Sequence, residues 1–188
     1  FKLPKPLIKI KNKPMFIQSA KSMPKSDLNI FICNINLIKN YNIQKIIKDE
    51  YQKKFKIITV KRATKGQANT CLLAEKYLKK NDKIFIHSCD SLIKYNLKNL
   101  TKKMNLSDAV ILTTKPNFVH LKNIKSYGWV KCIDNKINKI TCKKKASSNP
   151  KKDWGCSDRL GERNKIFTRK TGYFQPLDNS FSPFRKIN

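Results

Sequence analysis

Long apolar runs are missing from this chain. The hydrophobic stretches near its start are interrupted by lysines and prolines, and none approaches the roughly 20 consecutive apolar residues that span a bilayer. The same interruptions argue against a secretory signal. We therefore expect a cytoplasmic chain without membrane insertion.

Clustered zinc ligands are missing as well. The six cysteines form no C-x-x-C pair, and His87 and His120 are the two histidines. Because zinc sites need grouped Cys and His ligands, this spacing argues against zinc. Most of the cysteines stand in apolar patterns, so we expect buried free thiols in a reducing compartment.

Acidic residues are scarce, with 12 Asp and Glu against 42 Lys and Arg and a net charge of +30. Such a charge attracts nucleic acids and anionic surfaces. Arginine, the favoured reader of bases, supplies only five of these cations. The lysines are scattered along the whole chain without an aromatic RNA-binding signature. A basic nucleic-acid-binding protein stays an alternative that the pattern does not favour.

Strand and helix patterns alternate over the first 114 residues of the 188. Bulky or alternating apolar runs predict strands over 7–10, 29–33, 55–60, 83–87 and 108–114. Helical spacing of apolar residues predicts helices over 14–23, 41–51, 67–80 and 97–104. This alternation predicts a mostly parallel α/β sheet. Asp134-Asn135 predicts a tight hairpin between 129–133 and 136–141, which adds antiparallel strands.

Residues 64–91 combine a glycine loop, a helix and a buried strand. Gly66 allows backbone N–H groups to approach a ligand closely. Asp90 follows the strand at its carboxyl end, where open α/β sheets bind ligands. A carboxylate there suits a Mg²⁺ ion shared with substrate phosphates. The alternative is an ordinary helix–strand unit in which Asp90 only caps a turn.

Three segments resemble the sugar-phosphate nucleotidyltransferase family. Residues 4–15, PKPLIKIKNKPM, resemble its PKPLhPhxxKPM signature, and the unit with Gly66 and Asp90 follows at the family's spacing. SYGWV, around Gly128, is similar to the family's tyrosine–glycine turn at the sugar pocket. The lysine run 143–145 stands where the family has Glu-Lys-Pro. The resemblance covers residues 1–153.

The resemblance implies a fold and an activity. The expected fold is a Rossmann-like three-layer α/β/α nucleotide-diphospho-sugar transferase fold with a mostly parallel mixed sheet. It divides the chain into a partial catalytic domain, 1–153, and a divergent C-terminal tail, 154–188. Members of the family transfer a nucleotidyl group from a nucleoside triphosphate to a sugar 1-phosphate and release pyrophosphate. The implied setting is the biosynthesis of surface polysaccharide.

The resemblance also implies roles for individual residues. Lys5 is the catalytic lysine that contacts phosphates, and Asp90 holds Mg²⁺. Gly66 contacts the nucleotide through its backbone. Gly128 lies against the sugar, and Lys144 pairs with the sugar phosphate.

The chain departs from the family pattern at several places. The family's glycine-rich G-x-G-x-R loop is expected before Phe1, and Lys143 replaces the family's glutamate. Asp178 stands in a context that does not match the second metal-binding aspartate. These departures leave a non-catalytic protein that binds nucleotide or sugar phosphate as an alternative.

Lys13 is expected near Lys5 as a supporting residue.

Overall fold

The computed structural model describes residues 3–52, 54–64, 67–79, 81–107, 109–134 and 136–149. It also gives the backbone of three later strands, Trp154–Cys156, Lys165–Phe167 and Ser182–Ile187. The chain forms two compact units, one of Phe1–Val110 with Ile166–Asn188 and one of Ile111–Lys165. The predicted boundary after Asp153 lies outside the described residues and stays a prediction.

The first unit begins with a small ribbon. A 3₁₀ turn, Lys5–Leu7, precedes strand β1 (Lys9–Ile10), which pairs antiparallel with β2 (Lys13–Pro14). The predicted strand over 7–10 is shorter than expected because Leu7 belongs to the turn. Helix α1 (Met15–Lys21) follows Pro14, which confirms the predicted helix start.

The next elements of this unit mostly match the predicted ones. In chain order they are β3 (Leu28–Asn34), α2 (Ile35–Tyr41), α3 (Ile43–Tyr51), β4 (Phe55–Val60), α4 (Gln67–Leu72), β5 (Lys83–Ile86), α5 (Leu97–Asn105) and β6 (Ala109–Ile111). Helix α2 was not predicted; Asn34 caps it by accepting the Asn36 N–H at 2.9 Å. The helix predicted over 67–80 is interrupted, because α4 ends at Leu72 and a 3₁₀ turn follows at Glu75–Tyr77.

The main sheet has the strand order β4-β3-β11-β5-β10-β6, where β10 is Lys165–Phe167 and β11 is Ser182–Ile187. β3 and β4 are parallel, whereas β11 is antiparallel to both β3 and β5. β3, β4 and β5 therefore run in one direction, and the sheet is mixed. β10 and β11 both lie in the segment that the resemblance assigns to a divergent tail, and β11 was not predicted from its sequence.

Helical segments contribute side chains to the packing on β3. Ile30 and Ile32 share a core cluster with Ala74, just beyond α4, and with Ile86 of β5. The Phe31 ring contacts Phe16 of α1 and Tyr51 of α3, with centroid distances of 6.4 and 5.1 Å. Successive strand residues point to opposite faces of a sheet, so the two sets lie on different faces of β3. The α/β class is confirmed, and the three-layer arrangement stays a prediction.

The second unit contains helix α6 (Phe118–Lys122) and strands β7 (Gly128–Ile133), β8 (Lys136–Cys142) and β9 (Trp154–Cys156). The strands form an antiparallel sheet in the order β8-β7-β9, which confirms the predicted hairpin. Its buried cluster is formed by Tyr127, Trp129 and Ala146. In the described part of the chain, the helices are too short or too polar to cross a membrane.

Candidate functional site

Two predicted residues meet in the first unit although 85 positions separate them. Lys5 Nζ lies 2.5 Å from Asp90 Oδ2. The Asp90 side chain is only 3% exposed, whereas that of Lys5 is 44% exposed. The pair therefore consists of a buried carboxylate and a cation that reaches solvent.

The Lys5 backbone is held by the sequence around it. Pro4 and Pro6 flank it, and their fixed φ angles restrict the segment. The Leu7 N–H donates to the Pro4 carbonyl at 2.9 Å, and the Leu7 side chain is buried. Met15, the first residue of α1, donates its N–H to the Ile8 carbonyl at 2.8 Å. These contacts present the Lys5 side chain from a constrained turn.

Buried serines surround Asp90. Ser88 Oγ donates to Asp90 Oδ1 at 2.8 Å and lies 2.7 Å from Ser91 Oγ. Ser19 Oγ, from α1, donates to the Ser88 carbonyl at 2.5 Å. Both oxygens of the Asp90 carboxylate are thus engaged, Oδ1 by a hydroxyl and Oδ2 by the Lys5 ammonium.

Two more contacts hold the loop that carries Asp90. His87 Nε2 lies 2.9 Å from the Ser91 carbonyl oxygen, and the Ile93 N–H donates to Ser22 Oγ at 3.3 Å. Our sequence reasoning did not predict roles for these residues. The available signal was HSCDS, a mostly polar run directly after a buried strand. Its buried members keep polar groups in the interior and must therefore be hydrogen-bonded.

Lys13 pairs with a carboxylate that the sequence analysis did not single out. Lys13 Nζ lies 2.8 and 3.2 Å from the two Glu50 oxygens, and Lys21 also forms an ion pair with Glu50. The hydrogen bond from Lys13, followed by that from Lys21, lowers the pKa of Glu50. The hydrogen bond to Glu50 is the main cause that raises the pKa of Lys13. Lys13 thus joins the start of α1 to α3.

Cys33, at the end of β3, is a buried thiol. Burial raises its pKa well above the usual range, and Cys89 adds to the shift. A thiol in this state is protonated near neutral pH and is a poor nucleophile. This thiol is therefore not a candidate nucleophile.

Gly66 lies outside the described residues, so its nucleotide contact stays a prediction. The described residues on either side of it are close together. Thr64 Oγ1 lies 2.5 Å from Thr70 Oγ1 of α4. Gln67, the first residue of α4, is buried. These contacts bring the segment before the glycine against the helix that follows it.

Gly128 and Lys144 belong to the second unit, whereas Lys5 and Asp90 belong to the first. Gly128 is buried at the start of β7 and pairs with Cys142 of β8. Thr141 Oγ1 donates to the Lys144 carbonyl at 2.6 Å. Gly128 and Lys144 therefore lie at the same end of one hairpin. Their predicted contacts with a sugar phosphate stay predictions.

The residue types around Asp90 limit which metal ion would fit. Among the described residues, no three His, Cys, Asp or Glu side chains form a metal-binding group. Asp90 offers hard carboxylate oxygens, and the Lys5 ammonium already places a positive charge against one of them. Mg²⁺ is commonly held by one or two carboxylates with waters and substrate phosphates. This donor set fits such a shared Mg²⁺.

Part of this chain is similar in sequence to a known protein. Mannose-1-phosphate guanyltransferase from Aspergillus oryzae is 29% identical over 117 residues, which are 60% of this chain and 32% of that protein. The chain thus spans about a third of the length of this relative.

A solved structure resembles the fold. The nucleoside-diphosphate-sugar pyrophosphorylase from Vibrio cholerae RC9 matches 99% of this chain and 66% of its own, with a TM-score of 0.59 and 13% identity. At that identity the likeness concerns the fold alone. The model of the nucleotidyl transferase family matches residues 1–149. This match covers most of the 188 residues, and the chain therefore belongs to the nucleotidyl transferase family.

Proposed function

We propose that this chain transfers a nucleotidyl group from a nucleoside triphosphate to a sugar 1-phosphate and releases pyrophosphate. The observation that carries the proposal is the Lys5–Asp90 pair, with 2.5 Å between Nζ and Oδ2. The exposed ammonium of Lys5 can bind a phosphate, and the buried carboxylate of Asp90 can bind a cation. Both groups belong to segments that resemble the family's signatures.

In this reaction a sugar-phosphate oxygen attacks the α-phosphorus in line. A new phosphorus–oxygen bond forms while the bond to the pyrophosphate group breaks. Phosphoryl-type transfer depends mainly on positioning and charge neutralisation. The Lys5 ammonium supplies a compact positive charge for the phosphate oxygens. No covalent nucleophile is required for this transfer.

Asp90 is the residue that would hold Mg²⁺ in this proposal. Such an ion would supply positive charge that offsets the charge of the substrate phosphates. Gly66 would contact the nucleotide through its backbone, Gly128 the sugar, and Lys144 the sugar phosphate. The position of Gly128 and Lys144 at one end of the β7–β8 hairpin supports their joint assignment.

The three-layer fold, the cytoplasmic location and the biosynthetic role of the chain belong to the proposal as well. A three-layer α/β/α fold is supported by the side chains that pack on different faces of β3. We further propose a cytoplasmic enzyme that supplies activated sugars for surface polysaccharide. The name of the Aspergillus oryzae relative makes GTP and mannose 1-phosphate the first substrates to test.

A coupled assay of pyrophosphate release tests the proposal. The full chain is incubated with Mg²⁺ and each common nucleoside triphosphate against a panel of sugar 1-phosphates. We expect release that requires both substrates together with the metal. Release that is independent of the sugar phosphate would indicate hydrolysis, and inactivity throughout the panel of a preparation that binds nucleotide would contradict transfer.

Binding without turnover is the second candidate function. It is favoured by Lys143, which stands where the family has a glutamate and is exposed. Its backbone N–H donates to the Tyr127 carbonyl at 3.0 Å, so the backbone of the turn is ordered without a carboxylate there. Calorimetric binding of a nucleotide by a chain that fails the release assay would support this alternative.

A further inference from the structure

We propose that Ser88 is a positioning residue for the Asp90 carboxylate, set in place by a chain of buried hydrogen bonds. The inference deepens the proposed function and rests on it, since it concerns the carboxylate that would hold the divalent cation. Ser88 is fully buried, and Ser91 and His87 beside it are buried as well. Their hydrogen bonds have a direction that the chemistry of each group determines.

The donor and the acceptor of each hydrogen bond follow from Asp90. A carboxylate beside an ammonium is ionised and can only accept hydrogen bonds, so the Ser88 hydroxyl proton points at Oδ1, 2.8 Å away. A hydroxyl has a single proton. The 2.7 Å contact between the Ser88 and Ser91 hydroxyls must therefore be donated by Ser91. Each donor in this chain polarises the next one toward the carboxylate.

The backbone of the loop is fixed in the same way. The Ser91 carbonyl can only accept, so the contact at 2.9 Å requires the proton on His87 Nε2. The Ser88 carbonyl accepts from Ser19 of α1 at 2.5 Å. Ser19 of α1 and His87 of the loop after β5 thus hold the residues that orient Asp90.

This arrangement distinguishes the two carboxylate oxygens. Ser88 engages Oδ1 from inside the protein, whereas Oδ2 faces the Lys5 ammonium, whose side chain is 44% exposed. Oδ2 is therefore the oxygen on the side of the carboxylate where the solvent-reaching Lys5 side chain lies. Partners that orient a metal ligand typically change metal affinity when they are removed. We expect Ser88 to act through Asp90 without touching the substrate.

Affinity for a metal complex tests this role without turnover. The probe is Mn²⁺ with inorganic pyrophosphate, and its binding to the full chain is followed by water-proton relaxation. Ser88→Ala should weaken this binding by roughly 10- to 100-fold. Binding of pyrophosphate alone, which depends on Lys5, should stay unchanged. Loss of both affinities to the same extent would indicate general distortion and would overturn the positioning role.

Two further variants complete the test. Ser91→Ala removes the donor to Ser88 and should weaken Mn²⁺–pyrophosphate binding in the same direction by a smaller factor. It provides a second measurement if Ser88→Ala does not fold. Ser26→Ala is the matched control, because the Ser26 hydroxyl contacts Asn29 Oδ1 at 3.2 Å. Wild-type affinity in both Ser88→Ala and Ser91→Ala would overturn the inference.

The experiment also separates this inference from the proposed function. Asp90→Asn gives the affinity that remains without the carboxylate. If Asp90→Asn binds the Mn²⁺ complex like the wild type, Asp90 has no metal role and the inference falls with it. If the wild type binds the complex through Asp90 but never releases pyrophosphate from nucleotides, nucleotidyl transfer is contradicted and the role of Ser88 stands.

Discussion

At the scale of single residues, the Lys5–Asp90 pair is asymmetric. The Asp90 side chain is almost fully buried, and Lys5 keeps nearly half of its side chain in solvent. A buried charge is costly unless it is paired and hydrogen-bonded. Lys5 therefore has two consequences: its ammonium compensates the buried Asp90 carboxylate in the folded protein, and in the proposed function it offers a positive charge to phosphates.

Lys5→Met should separate these two consequences. Without the ammonium, the buried carboxylate loses a charged partner, and the free energy of unfolding should fall by about 1–3 kcal/mol. Pyrophosphate release should fall by about 100- to 1000-fold, as for other lost transition-state contacts. Urea unfolding and the release assay measure the two effects. Lys9→Met, on the exposed β1 strand, is the control; an equal loss in both variants would contradict a specific role for Lys5.

At the scale of elements, Glu50 connects the start of α1 to α3 through two lysines. Its pKa is lowered in the folded protein, chiefly by the hydrogen bond from Lys13. The unfolded chain therefore binds the proton more readily, and the stability from Glu50 is lost as pH falls below about 4.3. The pKa of Lys13 is raised, so its contribution is lost only as pH rises beyond about 10.4.

Glu50→Gln should remove the loss of stability that the protonation of Glu50 causes at acidic pH. We expect the variant to be less stable than the wild type at neutral pH and the difference to shrink as pH falls toward 3, since protonated Glu50 is also uncharged. Urea unfolding measured from pH 3 to pH 7 checks this. Glu75→Gln, in the 3₁₀ turn after α4, is the control. A stability difference that is independent of pH would contradict the charge-based account.

Substitutions in the lysine run 143–145, which follows the β7–β8 hairpin, test which of these lysines pairs with the sugar phosphate. Lys144→Met should raise the KM for the sugar 1-phosphate by about tenfold or more, because the proposed charge-assisted contact with the sugar phosphate would be lost. The adjacent exposed Lys145 is the matched control, and Lys145→Met should leave this KM near the wild-type value. Steady-state kinetics with varied sugar phosphate measure both. Equal increases in the two variants would show that Lys144 has no special position.

The elements differ in how far their sequences predicted them. β3, β4 and β5 were predicted because their runs of bulky apolar residues are typical of strands. Lys5 and Asp90 were predicted because both occur in signature segments. The contacts of Glu50 with Lys13 and Lys21 were not predicted, since they depend on tertiary packing rather than on a local pattern. The central position of β11 was missed for the same reason: strand pairing is non-local.

At the scale of the whole molecule, the net charge of +30 allows non-specific attraction to polyanions. We expect weak binding to duplex DNA that falls steeply between about 50 and 200 mM salt. Nucleotide binding with Mg²⁺ should fall less over this range, because in the proposed site it also uses the buried Asp90 carboxylate. Fluorescence anisotropy for DNA and calorimetry for nucleotide measure the two. DNA binding that persists at physiological salt and competes with nucleotide would favour the nucleic-acid alternative.

The central claim is that Asp90 and Lys5 form a nucleotidyl-transfer site. Its most direct test is pyrophosphate release by Asp90→Asn, with Asp27→Asn at an exposed position as control. Loss of the carboxylate should reduce release by at least about 100-fold, and circular dichroism should show a retained fold. Asp27→Asn should behave like the wild type. A folded Asp90→Asn variant that releases pyrophosphate at the wild-type rate would contradict the account.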